Sequence, residues 1–189
     1  MSVADAAFGT LKEKLDAAVT AGDAGAIAHR VKQALQETLK CEGVPLPEDF
    51  RTPRPDTYAR RLLHRDPDGR YTAVVMTWGP GQGTALHDHA GIWCVECVVE
   101  GEMEVRQYDL VEEKGDSFRF EAQSCIEALK GSAGCLIPPF EYHTLSNRRV
   151  DAPSITLHIY GGEMTHCHVF EPSGDGSYRR VEKQLSYHS

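Results

Sequence analysis

Apolar residues recur along this chain at two different periods, and the change of period divides it. Phe8, Leu11, Leu15 and Val19 form one stripe at helical spacing, and Ile27, Val31, Leu35 and Leu39 form another. They predict two amphipathic helices between about Asp5 and Lys40. Ala21-Gly22-Asp23 breaks them, with Asp23 placed to cap the second. Prolines at 45, 47, 53 and 55 make the stretch from Glu42 to Pro55 irregular. From Tyr58 onward short strand-like runs alternate with turn signals: Asp66-Pro67-Asp68-Gly69, Gly79-Pro80-Gly81, Glu100-Gly101, Lys114-Gly115-Asp116 and Gly131-Ser132. Many short strands after a helical prelude predict a mainly β fold, a small barrel or jelly roll with the N-terminal helices packed outside. The expected organisation is one domain over 1–189. A helical cap and linker occupy 1–55, the barrel 56–178, and a strand plus tail without assigned function 179–189.

Composition narrows the class. A length of 189 residues with 41% hydrophobic and 8% aromatic content is globular rather than disordered. The net charge of −8 comes from dispersed acidic residues, so neither nucleic acid nor an anionic membrane is an expected partner. No run approaches the roughly 20 apolar residues of a membrane span, and the N-terminus lacks the basic and apolar regions of a secretory signal. Six cysteines without the spacing of a small secreted domain fit a reducing compartment. The expectation is a cytoplasmic protein, monomeric or a small homo-oligomer.

Candidate chemistry centres on Gly81 to Gly101. On a strand, residues i and i+2 share a face, so His87 and His89 can aim two imidazoles at one point while Asp88 faces away. Imidazole pairs of this kind suit iron, zinc, copper or nickel. Five residues separate Gly81 from His87, and six separate Cys94 from Gly101. This spacing resembles the first cupin motif, G-x5-H-x-H-x4-E-x6-G, with Cys94 where the glutamate is usual. Pro138, His143 and Asn147 keep the offsets of the second cupin motif, with Phe140 in place of a glycine. The resemblance implies a cupin barrel with His87, His89 and His143 as metal ligands. Cys94 then has two readings. It ligates as a thiolate, which suits zinc, or it stands beside a three-histidine centre that keeps its full charge for an anionic, bidentate substrate and O2.

Further anchors favour the second reading. Tyr58-Ala-Arg60 precedes the barrel, and Thr156-Leu-His158-Ile-Tyr160 follows His143, which lies 15 residues before His158 and 17 before Tyr160. Over roughly Tyr58 to Phe170 the chain resembles the thiol dioxygenases, most closely their cysteine-specific branch. That resemblance implies Fe(II) on the three histidines, chelated by the thiolate and amine of L-cysteine, with O2 beside them and cysteine sulfinic acid as product. It implies Arg60 on the substrate carboxylate, a planar match that lysine could not copy, with Tyr58 nearby. It also implies a Tyr160 hydroxyl linked by hydrogen bonds to His158 and Thr156, and a Cys94–Tyr160 thioether.

There are departures from that pattern. Thr156 stands where serine is common, and Gly161-Gly162 follow Tyr160 where animal members have Ser-Pro-Pro. Gly161 resembles bacterial members, some of which prefer 3-mercaptopropionate, but those commonly carry glutamine at the Arg60 position and glycine near Cys94. The alternatives are therefore a 3-mercaptopropionate dioxygenase and a non-catalytic metal-binding cupin.

Other residues read more plainly. Arg60 shares a strand face with Tyr58 and Leu62, and Arg61 faces away. Cys94 and Cys97 point to opposite faces of a strand, so their sulfurs should not meet, and Cys97 reads as a small buried hydrophobe. His166-Cys167-His168 lacks the glycine framing of the first pair and reads as packing or site rim. Trp78 and Trp93 read as core or pocket wall.

Overall fold

A computed structural model describes residues 3–41 and 43–189. Met1, Ser2 and Glu42, where the irregular segment is expected to begin, lie outside the described residues. Two helices open the chain, α1 (Val3–Ala18) and α2 (Ala24–Cys41). The Asp23 carboxylate accepts the Ala26 N–H at 2.8 Å and caps α2. Arg30 donates back to the carbonyls of Ala18 and Ala21, which fixes the turn between the helices.

The strands follow in the predicted stretch. They are β1 (Ala59–Arg65), β2 (Thr72–Trp78), β3 (Leu86–His87), β4 (Cys94–Glu100), β5 (Glu102–Lys114) and β6 (Ser117–Leu129). Then come β7 (Ala133–Leu136), β8 (His143–Ser146), β9 (Ser154–Tyr160), β10 (His166–Pro172) and β11 (Tyr178–Gln184). One sheet runs β1-β2-β9-β4-β7, and the other, β10-β11-β6-β5-β8-β3, closes on itself through β3 and β10. This is the mainly β barrel with outer helices that the pattern predicts. β11 carries regular pairing past the expected barrel boundary at residue 178, to Gln184.

The central strands are buried on both faces, which is why they read as nearly continuous apolar runs. Ala73, Val75, Val95, Cys97, Leu157 and Ile159 meet Leu11, Leu15, Val31 and Leu35 of the helices. Fully burying each such leucine stabilises the fold by about 1.5–3 kcal/mol. Alternate residues, among them Val74, Met76, Cys94, Val98 and Tyr160, face the barrel interior with Met103, Leu136 and Leu145. Cys94 and Cys97 thus lie in different cores, as the strand period requires. Gly101 turns β4 into β5 at φ 77°, and a Cβ there would stand 2.5 Å from the Ser154 hydroxyl. Among the described residues no helix is long and apolar enough to cross a membrane.

Candidate active site

The two sheets bring different groups to one interior cavity. β3 and β8 pair with His87 directly opposite His143. His89 lies just beyond β3 rather than on it, because the chain turns at Ala90 (φ 52°) and Gly91 (φ 80°). The strand predicted for the His-x-His pair is therefore shorter than the motif. The three rings still converge, with centroids 4.4 Å apart for His87–His143, 5.0 Å for His89–His143 and 5.4 Å for His87–His89. One potential ligand atom from each lies within 4.8 Å of the others. Cys94 is not among the converging donors, so the thiolate-ligand alternative is not assembled here.

Hydrogen bonds set the tautomers. His87 Nδ1 lies 3.0 Å from the Ala85 carbonyl and His143 Nδ1 2.8 Å from that of Glu141. In each neutral ring the bonded nitrogen is the donor, and Nε2 keeps its lone pair. His143 Nε2 and His89 Nδ1 are buried without partners. Desolvation inside the cavity, then the neighbouring His143, holds His87 down to about 3, and the same causes hold His89 well below the ordinary range. Neutral imidazole is the metal-binding form. Orphaned buried nitrogens and an all-imidazole donor set fit a first-row divalent metal.

The other sheet supplies a second row. In β4 and β9, Cys94 pairs with Tyr160, Glu96 with His158 and Val98 with Thr156, so these side chains share the interior face. Trp78 donates its indole N–H to the Thr156 hydroxyl at 2.8 Å, and Thr156 lies 2.8 Å from His158 Nε2. The link expected onward to Tyr160 is not made. The His158 and Tyr160 rings stack with centroids 6.0 Å apart, and His158 Nδ1 has no hydrogen-bond partner. That nitrogen faces Glu96 Oε2 at 3.6 Å, and the same oxygen lies 3.6 Å from His143 Nε2.

Glu96 is the residue that the sequence reading missed. It is buried, and its Oε2 carries no hydrogen bond. Burial would raise its carboxyl, but the facing imidazoles of His143, His158 and His87 pull it below the usual range. Burial first, then the opposing fields of Glu96 and His143, leaves His158 at about 4. Burial raises both the Cys94 thiol and the Tyr160 hydroxyl well above their ordinary values.

Arg60 and Tyr58 enter from β1 and the residue before it. Arg60 is only 3% exposed, although it is charged. Its Nη2 donates to the Met164 carbonyl at 3.0 Å, and its Nε has no partner. Arg61 points the other way, to the carbonyls of Phe50 and Thr52, as the alternation predicts. Tyr58 stacks on Trp78 at 4.4 Å.

A cavity of about 20 Å³ is lined by Tyr58, Arg60, His87, His89, His143, His158 and Tyr160 together. Cys167, buried in the same core, also lines it. Cys94 and Thr156 stand behind this lining. A larger cavity of about 110 Å³ borders Glu96 and Thr156 but is otherwise walled mostly by apolar groups such as Val98, Met103, Ala128 and Leu136. It holds no converging donors; the three imidazoles line the smaller one. The second His-x-His pair joins no cluster of potential metal ligands among the described residues: His168 Nδ1 bonds Asp88 Oδ2 at 2.9 Å, and His166 contacts Thr165. Asp88 also accepts the backbone N–H groups of His168 and Ala90, which ties the ligand loop to β10.

A family model described as cysteine dioxygenase type I matches residues 46–173. Cysteine dioxygenase type 1 of Rattus norvegicus is 21% identical over 114 residues, 60% of this chain and 56% of that protein. The protein of the same description from Danio rerio is 23% identical over 115 residues, with 60% and 56% covered. The chain thus spans little more than half the length of these relatives. Among solved structures, a conserved protein with a double-stranded β-helix domain from Klebsiella pneumoniae aligns with a TM-score of 0.47 and 18% identity. That alignment covers 72% of this chain and 94% of the other.

Proposed function

The chain belongs to the cysteine dioxygenase type I family, and from that premise we propose that it is an iron-dependent thiol dioxygenase oxidising L-cysteine with O2 to cysteine sulfinic acid. The observation that carries this reading is the meeting of two features in one cavity. Three imidazoles converge there, and beside them lies a buried arginine whose Nε has no partner.

His87, His89 and His143 would hold Fe(II). Iron held there would supply the charge that keeps the substrate sulfur a thiolate and the redox centre for its reaction with O2. Both oxygen atoms end on sulfur, and the four electrons that reduce O2 come from that sulfur, so the conversion of thiol to sulfinic acid balances without another reductant.

The chain's own groups bind and orient. Arg60 receives the carboxylate through its free N–H edge, a charge-assisted contact in a desolvated site. Tyr58, fixed against Trp78, walls that end. Burial keeps the Tyr160 hydroxyl protonated, so it can donate a hydrogen bond to the bound substrate. The direct cross-strand pairing of Cys94 with Tyr160 supports a thioether between them. Six cysteines, all free among the described residues, fit the reducing cytoplasm.

The decisive experiment is O2 uptake by anaerobically Fe(II)-loaded protein, with L-cysteine and 3-mercaptopropionate side by side and the products identified. A higher kcat/KM for L-cysteine, with sulfinate formed, is the expected result. Preference for 3-mercaptopropionate would keep the iron site and withdraw Arg60 as the mark of specificity. Uptake with neither would leave a metal-binding cupin without this activity.

A further inference from the structure

The segment that follows β11, residues 185–189, is more than the tail that the sequence predicts. It lies along the free edge of β1, beside the site. His188 N donates to the Arg60 carbonyl at 2.7 Å, and Arg60 N donates to His188 Nδ1 at 3.0 Å. Residue 188 therefore brackets the backbone of Arg60 from both directions and covers an edge that no strand pairs.

The side chains continue the contact. The Tyr187 ring lies over the Arg60 guanidinium, 4.5 Å from ring centroid to Cζ, a distance at which the cation is attracted to the ring face. The Tyr187 hydroxyl donates to Glu163 Oε1 at 2.6 Å, and the other Glu163 oxygen takes the Arg65 Nε–H at 2.6 Å. Leu185 N bonds the Thr165 carbonyl at 2.7 Å, and the Leu185 side chain lines the cavity. The same 163–165 loop supplies the Met164 carbonyl that holds Arg60 Nη2. Each anchor of the guanidinium is thus attached, directly or through one hydrogen bond, to residues 185–188.

We propose that residues 185–188 form a strap that positions Arg60 for a carboxylate-bearing substrate, with Tyr187 fixing the plane of the guanidinium and Leu185 closing the cavity beside it. The proposal rests on the dioxygenase reading for the identity of the substrate, but not for the contact itself. A guanidinium recognises a carboxylate through coplanar N–H groups, so a ring that fixes its plane sets which acids fit. Tyr187 is accordingly a positioning residue that acts through Arg60. A thiol without an acid group would not sense it.

The test pairs turnover with a signal that does not need turnover. The comparison thiol is cysteamine, which keeps the amine of L-cysteine and lacks the acid. In the Fe(II)-loaded full chain, Tyr187→Leu should raise KM about tenfold for L-cysteine, while kcat and the cysteamine KM stay unchanged. Tyr187→Phe keeps the ring and loses only the hydroxyl bond to Glu163, so it should recover most, but not all, of the wild-type KM. Glu163→Gln, which alters neither partner of the stack, should move KM in the same direction by less and serves if the leucine variant does not fold. In metal-free protein under anaerobic conditions, the Arg60 Nε–H resonance should carry a ring-current shift that Tyr187→Leu removes, and L-cysteine should perturb it.

An unchanged Arg60 resonance in Tyr187→Leu, or equal losses for both thiols, would overturn the strap. If the wild-type protein oxidises neither thiol but L-cysteine still moves the Arg60 signal in a Tyr187-dependent way, the dioxygenase reading falls and the strap stands.

Discussion

His158 turns its Nδ1 to the Glu96 carboxylate, 3.6 Å away, and makes no hydrogen bond to Tyr160. The register of β4 and β9 causes this, since it sets Glu96 directly across from His158 and Cys94 across from Tyr160. The run from Trp78 through Thr156 to His158 therefore ends at a buried acid that also faces the metal-side nitrogen of His143. A centre read as three imidazoles without an acid has a carboxylate just outside its ligand set. Negative charge there favours a bound dication and faces the free nitrogen of His158 behind the ligand set.

Replacing Glu96 with glutamine keeps the shape and removes the charge. Metal affinity should then fall about 10–100-fold, the usual effect of losing a carboxylate next to a ligand set. Titration of the metal-free protein with Co(II), followed through its visible bands, measures this directly. Unchanged affinity would confine Glu96 to orienting His158.

Arg60→Gln removes the charged half of the proposed carboxylate contact. The KM for L-cysteine should rise about 10–100-fold, the effect of losing one charge-assisted hydrogen bond in a desolvated site. The KM for cysteamine should stay near its wild-type value. A parallel rise for both thiols would mean that Arg60 supports the cavity wall and not the acid.

The parts that were legible from sequence follow a local rule. Leu11, Leu15, Val31 and Leu35 repeat at helical spacing and do cover one face of the sheet. The three histidines sit at the offsets of the two cupin motifs, and they converge even though His89 lies outside a strand. Glu96 escaped because the motif offset points to position 94, although strand alternation from Cys94 places position 96 on the same face. Residues 185–189 escaped for a different reason. Their partners lie on β1, more than a hundred residues away in the chain, and a short polar segment carries no periodicity that announces such a contact.

Gly161 carries a steric requirement that a single substitution can expose. A Cβ at that position would overlap the Trp93 indole ring, while Gly161 N donates to the Trp93 carbonyl at 2.9 Å. Gly161→Ala should cost about 1–3 kcal/mol by forcing the indole or the loop aside. In a Trp93→Ala background most of that cost should vanish, since the coupling lies between these two side chains. Urea unfolding of the four proteins supplies the cycle. Equal costs in both backgrounds would place the strain elsewhere in the loop.

Asp66 offers a pH-dependent test far from the site. Its Oδ2 accepts the Arg70 backbone N–H and Nε–H, both at 2.9 Å, and its Oδ1 accepts Nη2–H at 2.8 Å. Arg70 also reaches Asp16 of α1 at 3.2 Å, so the pair joins the β1–β2 turn to the outer helices. The hydrogen bonds from Arg70 outweigh burial and hold the carboxyl down to about 2, against an ordinary 3.8. A carboxyl with a depressed folded-state pKa stabilises the fold above its unfolded value, and that contribution is lost as pH falls from about 4 through about 2. At pH 7 the ionised form of this nearly inaccessible carboxylate should contribute about 2 kcal/mol. Asp66→Asn should therefore be less stable than the parent by about that amount at neutral pH, with the gap closing as acid protonates the parent's carboxyl. Chemical unfolding of both proteins from neutral pH into the acid limb measures it. A gap that stays constant across that range would show that the turn is held by shape and neutral hydrogen bonds, not by the charge on Asp66.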